Sequence, residues 1–234
     1  MRVFKMKSLV LNPHGLPYPI KARRWFRIGI ISFFTIIIML TALILWFTIA
    51  RPIQVLPRIE QAPNFVLTDE QGRWFDSHQL LGQPTLLIFS YTRCGLACEP
   101  ANTRLHEAYT NLQDNGFSVQ FVTISFDAAY DSPEVLRNTL KAWPWLTGSA
   151  VELKQIIGAQ FGIYYSQSET GQFTFDQQAV LIDSKGLIRA FYDAQKLDPT
   201  IVLRDIQLIN REASSSAAER PLYEAAHLFV CYPR

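Results

Sequence analysis

Two cysteines, Cys94 and Cys98, lie four positions apart in the stretch YTRCGLACEP. Such a pair can close a disulfide, exchange electrons with the thiols of a partner, or hold a soft metal ion such as Cu(I) or zinc. Side chains at positions i and i+4 of a helix share a face, so this spacing predicts that the two sulfurs converge on one point. A helix N-terminus and the neighbouring Arg93 would both favour the thiolate over the thiol, which assists a nucleophile and a metal ligand alike.

An inert structural disulfide is the simplest alternative for this pair. A bridge between Cys94 and Cys98 would close a very short loop. Because the stabilisation by a disulfide grows with the length of the loop that it closes, such a bridge would stabilise the fold only weakly. We therefore expect a redox pair or a metal site, and the spacing alone does not choose between them.

The elements that must position the cysteines can be read from the flanking sequence. Residues 84–91 (PTLLIFSY) form a continuous apolar and aromatic run, which predicts a buried central strand. Leu105, Ala108 and Leu112 recur at helical spacing and predict a helix over residues 100–115. The cysteines therefore leave a central strand and enter a helix, the placement of thioredoxin-type motifs, although the usual redox spacer has two residues.

The rest of the chain after residue 63 alternates strands and helices. This order predicts an α/β domain in which helices cover a mixed sheet. The further predictions are a hairpin over 64–68 and 73–75, a strand at 117–126, a helix capped by Asp131 or Ser132 and running to Lys141, a helix at 150–161, strands at 178–182 and 187–192, and a closing helix at 199–210.

Residues 28–50 form an uncharged apolar run of 23 residues. As a helix it would extend about 34 Å, enough to cross the hydrocarbon core of a bilayer. The apolar region of a cleaved signal peptide is only about 7–15 residues, so we expect an uncleaved single-span anchor. The leader, residues 1–27, carries seven Lys and Arg and no acid, which places the N-terminus in the cytoplasm and everything after the span on the exported side.

The charge distribution and the compartment limit the possible functions. The net charge is +2, and because the leader is so basic, the exported part is mildly acidic, which argues against nucleic-acid binding. All three cysteines lie on the exported side, where disulfides persist. The leader has no serine-rich amphipathic presequence, so the expected location is the inner membrane of a bacterium, with the main domain in the periplasm.

The combined motifs resemble the Sco/SenC family over residues 64–210. The segments that carry the resemblance are LLGQPTLLIFSYTRCGLACEP, VTISFDAAYDSPEVL, WLTGS and AVLIDSKGLIRAFY. The resemblance implies a thioredoxin-like domain on one N-terminal transmembrane helix. It also implies a copper chaperone for the binuclear copper centre of cytochrome c oxidase, with Cys94 and Cys98 as copper ligands and redox pair. By analogy with thioredoxin, Cys94 is the expected nucleophile. Asp127 and Asp131 match acids of the family, and we expect them to form a turn and cap a helix.

One residue departs from the family pattern. The third copper ligand of the family is a histidine shortly before the strand predicted at 178–182, but this sequence reads FTFDQQAVLID there. Gln177 best matches the vacant position, and an amide is a poor ligand for Cu(I). Two thiolates can hold Cu(I), whereas Cu(II) is poorly stabilised without imidazole, so a Cu(I)-only or purely redox role is expected.

The sequence contains four histidines that could replace the missing ligand. His14 lies in the leader, His78 is expected at the surface, and His106 lies about 12 Å along the helix from Cys98, too far to share a metal. His227 and Cys231 stand at i and i+4 in the tail, where they could bind a metal. The simpler interpretation, which we favour, is that this tail helix packs on the domain or on a partner.

The sequence thus predicts a leader (1–27), an anchor (28–50), a linker (51–63), a Sco-like domain (64–210) and a tail (211–234) with a flexible linker and a short helix. The predicted function is delivery of Cu(I) to the oxidase subunit that carries the binuclear copper centre. A thiol–disulfide oxidoreductase, served by a thioredoxin-like reductant, is the first alternative. A non-catalytic docking factor is the second.

Overall fold

The computed structural model describes residues 20–50, 53–139, 141–169 and 171–229 and divides into two compact units, Met1–Pro52 and Ile53–Arg234. In the first unit, helix α1 (Ile20–Ala50) contains the apolar span Trp25–Trp46, with a mean hydropathy of 2.8. The described side chains of this span are exposed. This helix is long and apolar enough to cross a membrane.

The second unit is built around one mixed sheet. Within the described residues, its eight strands follow the order β1-β10-β9-β4-β5-β6-β2-β3, and β7 and β8 form a separate hairpin. The strands are β1 (Glu60–Gln61), β2 (Val66–Asp69), β3 (Trp74–Asp76), β4 (Thr85–Ser90), β5 (Gln120–Ser125), β6 (Trp145–Thr147), β7 (Tyr165–Gln167), β8 (Phe173–Phe175), β9 (Gln178–Ile182) and β10 (Leu187–Asp193).

Strand β4 lies at the centre of the sheet, and every residue in it is buried. It pairs in parallel with β5, where Leu86 faces Phe121 and Ser90 faces Ser125, and antiparallel with β9. Because the partners on both sides satisfy its backbone, a continuous apolar run can be buried here without unpaired polar groups. The predicted central strand is confirmed.

Helices cover both faces of the sheet, which confirms the predicted α/β architecture. On one face, α2 packs beside α5 over a core that includes Leu86, Leu105 and Ile206. On the other, Leu153 and Ile157 join a second core around Phe89. The helices of the second unit are α2 (Glu99–Asp114), α3 (Pro133–Asn138), α4 (Ala150–Leu153, continued by a π-helical stretch Lys154–Gln160), α5 (Pro199–Ala213) and α6 (Arg220–Phe229).

The end of α2 corrects one predicted boundary. Gly116 has φ +75° and donates its N–H to the carbonyl of Gln113, and Phe117 donates to the carbonyl of Leu112. These two bonds form a Schellman motif, which satisfies the last carbonyls of the helix. Phe117 therefore belongs to the helix cap, and the strand predicted to start there begins at Gln120.

Two predicted helix ends also differ from the structure. Ser132, one of the two predicted caps, caps α3 by accepting a hydrogen bond from the N–H of Val135, but the helix ends at Asn138 instead of near Lys141. The closing helix, predicted to end at Asn210, continues to Ala213.

Part of the predicted linker at 51–63 is built into the domain. Val55 and Leu56 are buried, and β1 pairs antiparallel with β10. The carbonyls of Leu56 and Pro57 accept hydrogen bonds from the buried guanidinium of Arg189. The described residues of this segment therefore pack on the domain, and β1 forms one edge of the sheet.

Candidate functional site at the cysteine loop

Cys94 and Cys98 lie in the turn between β4 and α2, and the structure joins them in a disulfide with a Cα–Cα distance of 5.6 Å. The expected convergence of the two sulfurs is observed, but helical spacing does not produce it. Gly95 interrupts the turn with φ +58° and ψ −139°, and Cys98 is the N-terminal cap residue of α2. The sulfurs therefore meet across a kinked loop, with only Cys98 joined to the helix.

The two cysteines differ in exposure. Cys98 is only 2% exposed, and its Sγ lies 3.8 Å from the hydroxyl oxygen of Ser90 at the end of β4. Cys94 is half-buried against the core, and the next residue but one, Leu96, is 85% exposed. An incoming group can thus approach Cys94 more readily than Cys98. This is the geometry expected of a nucleophile followed by a protected second cysteine, a role that stays a prediction.

Two buried aspartates bind the residues just before Cys94. Asp131 accepts hydrogen bonds from the N–H of Thr92 (2.9 Å) and from the Thr92 hydroxyl. Asp127 accepts from Nε (3.0 Å) and Nη2 (2.5 Å) of Arg93, whose guanidinium also lies over the ring of Tyr130. The ion pair with Asp127 raises the pKa of Arg93. The expectation that these aspartates only form a turn and cap a helix was incomplete.

Gln177 lies beside the cysteine loop. Its Nε2 donates a hydrogen bond of 3.1 Å to the carbonyl of Ala97, the residue before Cys98. Its Oε1 is buried and has no hydrogen-bond partner among the described residues. An amide therefore stands against the cysteine loop, at the position where the family resemblance predicts an imidazole.

Aromatic rings line the same end of the sheet. Tyr91 packs against Phe126 and Phe173 with ring centroids 5.2 and 5.0 Å apart, and Phe126 lies 4.7 Å from Phe175. These rings come from the residues that follow β4 and β5 and from the hairpin β7–β8. They form an apolar wall behind the half-buried Cys94, which packs on the same core.

The structure brings none of the described histidines to the cysteines as a ligand cluster. His78 is exposed and bonds Asp76, and His106 packs beside Tyr109 and Trp143. His14 and Cys231 lie outside the described residues. In the part of the chain that is described, no group of three or more His, Cys, Asp and Glu side chains has metal-binding geometry.

His227 of α6 is held by the domain. Its Nε2 lies 2.9 Å from a carboxylate oxygen of Glu212 on α5. Glu212 also accepts from Arg58 and from the buried Arg189, each at 2.6 Å. Burial would raise the pKa of Glu212, but the hydrogen bonds from His227, Arg189 and Arg58 outweigh it, so the pKa lies well below 4.5. The packing interpretation of the tail accounts for these contacts.

The second unit matches known proteins along most of its length. The model of the SCO1/SenC family matches residues 56–210. The SCO2-like protein of Rickettsia prowazekii (strain Madrid E) is 27% identical over 130 residues, which cover 54% of this chain and 62% of that protein. The match thus spans less than two thirds of that relative's own length.

Solved structures share the fold at lower identity. Arabidopsis thaliana ScoI with copper bound has a TM-score of 0.59 and 23% identity, covering 64% of this chain and 98% of that one. BsSco, a cytochrome c oxidase assembly protein with a disulfide switch, has a TM-score of 0.59 and 18% identity, covering 67% and 98%. These similarities identify the sheet and its helices as the thioredoxin-like fold of Sco proteins. With the family model matched over residues 56–210, the chain belongs to the SCO1/SenC family.

Proposed function

We propose that this protein is a membrane-anchored, extracytoplasmic copper chaperone that binds Cu(I) as cargo through Cys94 and Cys98. The observation that carries the proposal is the joining of the two sulfurs at the open end of the central strand, with one sulfur accessible and the other protected. Two thiolates suit a soft monovalent ion better than a hard cation. The copper-bound Sco relative supports the choice of copper.

Release of the ion follows from the difference in exposure. Cys94 is the more accessible of the two ligands, so a thiolate of the client would replace Cys94 first and Cys98 second. No change in the oxidation state of copper is needed for this exchange. The proposed client is the cytochrome c oxidase subunit that carries the binuclear copper centre, by analogy with the Sco assembly proteins.

Gln177 limits the proposed cargo to Cu(I). A neutral amide contributes little to a soft monovalent ion, and Cu(II) binds poorly to two thiolates without imidazole. The protein would therefore carry copper in one oxidation state. His227 and Cys231 are not needed in this proposal, since His227 already bonds Glu212.

The proposed topology places the leader (1–27) in the cytoplasm and the anchor (28–50) in the inner membrane. The linker (51–63), the Sco domain (64–210) and the tail (211–234) then lie in the periplasm. The basic leader and the apolar span Trp25–Trp46 support this orientation through the positive-inside rule.

Copper titration of the full-length protein tests the proposal. The reduced protein in detergent is titrated anaerobically with Cu(I) against a chromogenic chelator. We expect a single Cu(I) per chain, lost in both Cys94→Ser and Cys98→Ser. Cys231→Ser is the matched control and should retain the ion, as should His227→Asn. Copper that persists in both loop variants would refute the assignment.

Restoring an imidazole tests the role of Gln177. Gln177→His should add tight Cu(II) binding, with thiolate-to-copper absorption that the parent protein lacks. If Gln177→His binds Cu(II) no better than the parent, Gln177 does not occupy the position of the missing ligand.

A thiol–disulfide oxidoreductase is the second candidate, favoured by the disulfide and by the missing histidine. In this reaction a client disulfide is reduced while the Cys94–Cys98 dithiol becomes a disulfide, and a thioredoxin-like reductant restores the dithiol. A protein that binds no Cu(I) but reduces the disulfide of an oxidase copper-site peptide would establish this second function.

A further inference from the structure

The residues on the strand side of Cys94 are anchored more firmly than a surface turn requires. The carboxylate of Asp131 is fully buried and accepts from both the N–H and the hydroxyl of Thr92, and from the hydroxyl of Ser125 at 2.5 Å. Thr92 follows β4 closely and Ser125 ends β5, so this one carboxylate joins the ends of two parallel strands.

The second anchor acts on the residue that directly precedes Cys94. Asp127 is 1% exposed and grips Arg93 through a single carboxylate oxygen, and Arg93 stacks 4.2 Å from the centre of the Tyr130 ring. The other oxygen, Oδ1, has no hydrogen-bond partner among the described residues. Leaving a buried carboxylate oxygen unpaired costs free energy, so the arrangement calls for a role beyond stability.

The two aspartates are themselves held in a fixed relation. Asp131 donates its N–H to the carbonyl of Asp127 (2.8 Å). The N–H of Asp127 donates in turn to the hydroxyl oxygen of Ser125 (3.2 Å). Capping of α3 does not explain them, because Ser132 performs that task. Asp127 and Asp131 thus form a clamp. Apart from Ser125, the hydrogen-bond partners described for their carboxylates are Thr92 and Arg93.

We propose that Asp127 and Asp131 are positioning residues for the cysteine pair, which hold Thr92 and Arg93 so that Cys94 stays within bonding reach of Cys98 after the disulfide opens. The proposal rests on the proposed function, in which the reduced pair must grip one ion or re-form its bridge. When a dithiol reduces the pair, one S–S bond breaks, two electrons and two protons pass to the two sulfurs, and the dithiol becomes a disulfide.

The clamp should act on the reduced form more than on the oxidised form. In the oxidised protein the disulfide itself restrains Cys94, whereas in the reduced protein the clamp carries a larger share of that restraint. Loosening the clamp therefore releases more conformational freedom in the dithiol, which favours reduction. We expect an approximately tenfold change in the thiol–disulfide equilibrium constant, equivalent to about 30 mV towards easier reduction.

Redox titration of the full-length protein in detergent tests this clamp. The protein is equilibrated with mixtures of oxidised and reduced dithiothreitol, and the reduced pair is counted by alkylation and mass spectrometry. Thr92→Val removes one hydroxyl bond to Asp131 and keeps the shape of the side chain. Arg93→Gln removes the guanidinium that donates to Asp127, and because this side chain lies at the surface the variant should still fold. Thr92→Val should be reduced about ten times more readily than the parent. In Arg93→Gln the loss of a positive charge beside Cys94 disfavours the thiolate and opposes this effect, so the shift should be in the same direction but smaller.

Two controls separate positioning from stability. Ser132→Ala removes the cap of α3 on the same turn but touches neither Thr92 nor Arg93. It should lower the unfolding midpoint and leave the redox equilibrium unchanged. Arg137→Gln is a matched change at an arginine that donates to the carbonyl of Glu70, and it should leave the redox equilibrium unchanged as well. Equal redox midpoints for Thr92→Val, Arg93→Gln and the parent would overturn the proposal, as would an equal shift in Ser132→Ala.

The outcome is independent of the copper titration. A shifted redox midpoint in a protein that binds no Cu(I) would support the clamp and reject the chaperone. A parent protein that binds Cu(I), with variants whose redox equilibrium is unchanged, would reject the clamp and support the chaperone.

Discussion

Replacing Glu212 by glutamine removes the charge at the centre of the contact between α5 and α6. The carboxylate, whose side chain is 12% exposed, accepts from Arg58, Arg189 and His227. Breaking a buried ion pair costs about 3–5 kcal/mol when it leaves an unpaired charge. Arg189 would keep its bond to Asp183, so the expected loss for Glu212→Gln is smaller, about 2–3 kcal/mol.

A matched change at the same arginine provides the control. Glu224 also pairs with Arg58, but its side chain is 62% exposed, so Glu224→Gln should cost at most about 1 kcal/mol. Thermal unfolding of the full-length protein in detergent, followed by near-ultraviolet circular dichroism, compares the two. For a unit of this size the midpoint of Glu212→Gln should fall by about 4–12 °C. Equal losses in the two variants would refute the importance of burial at this site.

The pH dependence supplies a second check. The folded protein holds the pKa of Glu212 below its ordinary 4.5, because the bonds from His227, Arg189 and Arg58 outweigh the opposing effect of burial. The ionised Glu212 therefore contributes its whole stabilisation above about pH 4.5, and this stabilisation is lost progressively as the pH falls towards the lower pKa of the folded state. The difference between the parent and Glu212→Gln in urea unfolding should shrink by about 1.4 kcal/mol between about pH 5.5 and about pH 3.5. A difference that stays constant over this interval would contradict the assigned pKa.

Three further predictions concern the framework of the domain, and urea unfolding checks each of them. Gly148→Ala should destabilise the fold by about 1–3 kcal/mol, because the new Cβ would lie 2.7 Å from the Leu67 side chain. The control Gly158→Ala should be neutral or slightly stabilising, because its Cβ would meet nothing closer than 3.8 Å. Ser149→Ala should cost about 1 kcal/mol through loss of the capping box of α4, and an unchanged midpoint would show that the cap is dispensable. Leu105→Ala should cost about 3 kcal/mol, since this α2 side chain is buried in the core, and a loss below 1 kcal/mol would indicate that the cavity collapses.

The sequence predicted the elements whose signals are local. The apolar run at 84–91 became β4, the helical spacing of Leu105, Ala108 and Leu112 became α2, and the turn signal at 69–72 joined β2 to β3. In these elements the spacing of the apolar residues shows whether one face or both faces of the element are buried. Boundaries were less predictable, because Phe117 reads as a strand residue while its N–H completes the cap of α2.

Features that depend on distant partners could not be predicted from the pattern. Nothing around Arg189, an arginine within the apolar strand β10, indicates that it is 2% exposed and bonded to Asp183, Glu212 and two carbonyls of the segment before β1. The bonds of Asp127 and Asp131 to the loop before Cys94 were missed for the same reason. The segment ISFDAAYD did contain a signal, since two acids after a buried strand exceed what one helix cap requires.

Gly95 restricts how the cysteine loop can diverge among related proteins. Its combination of φ +58° and ψ −139° is open almost only to glycine, so another residue there would redirect the chain between the two sulfurs. Leu96 and Ala97, by contrast, are exposed. Substitutions at these two outward positions would therefore change the outer surface of the loop without altering the backbone that sets the positions of the sulfurs.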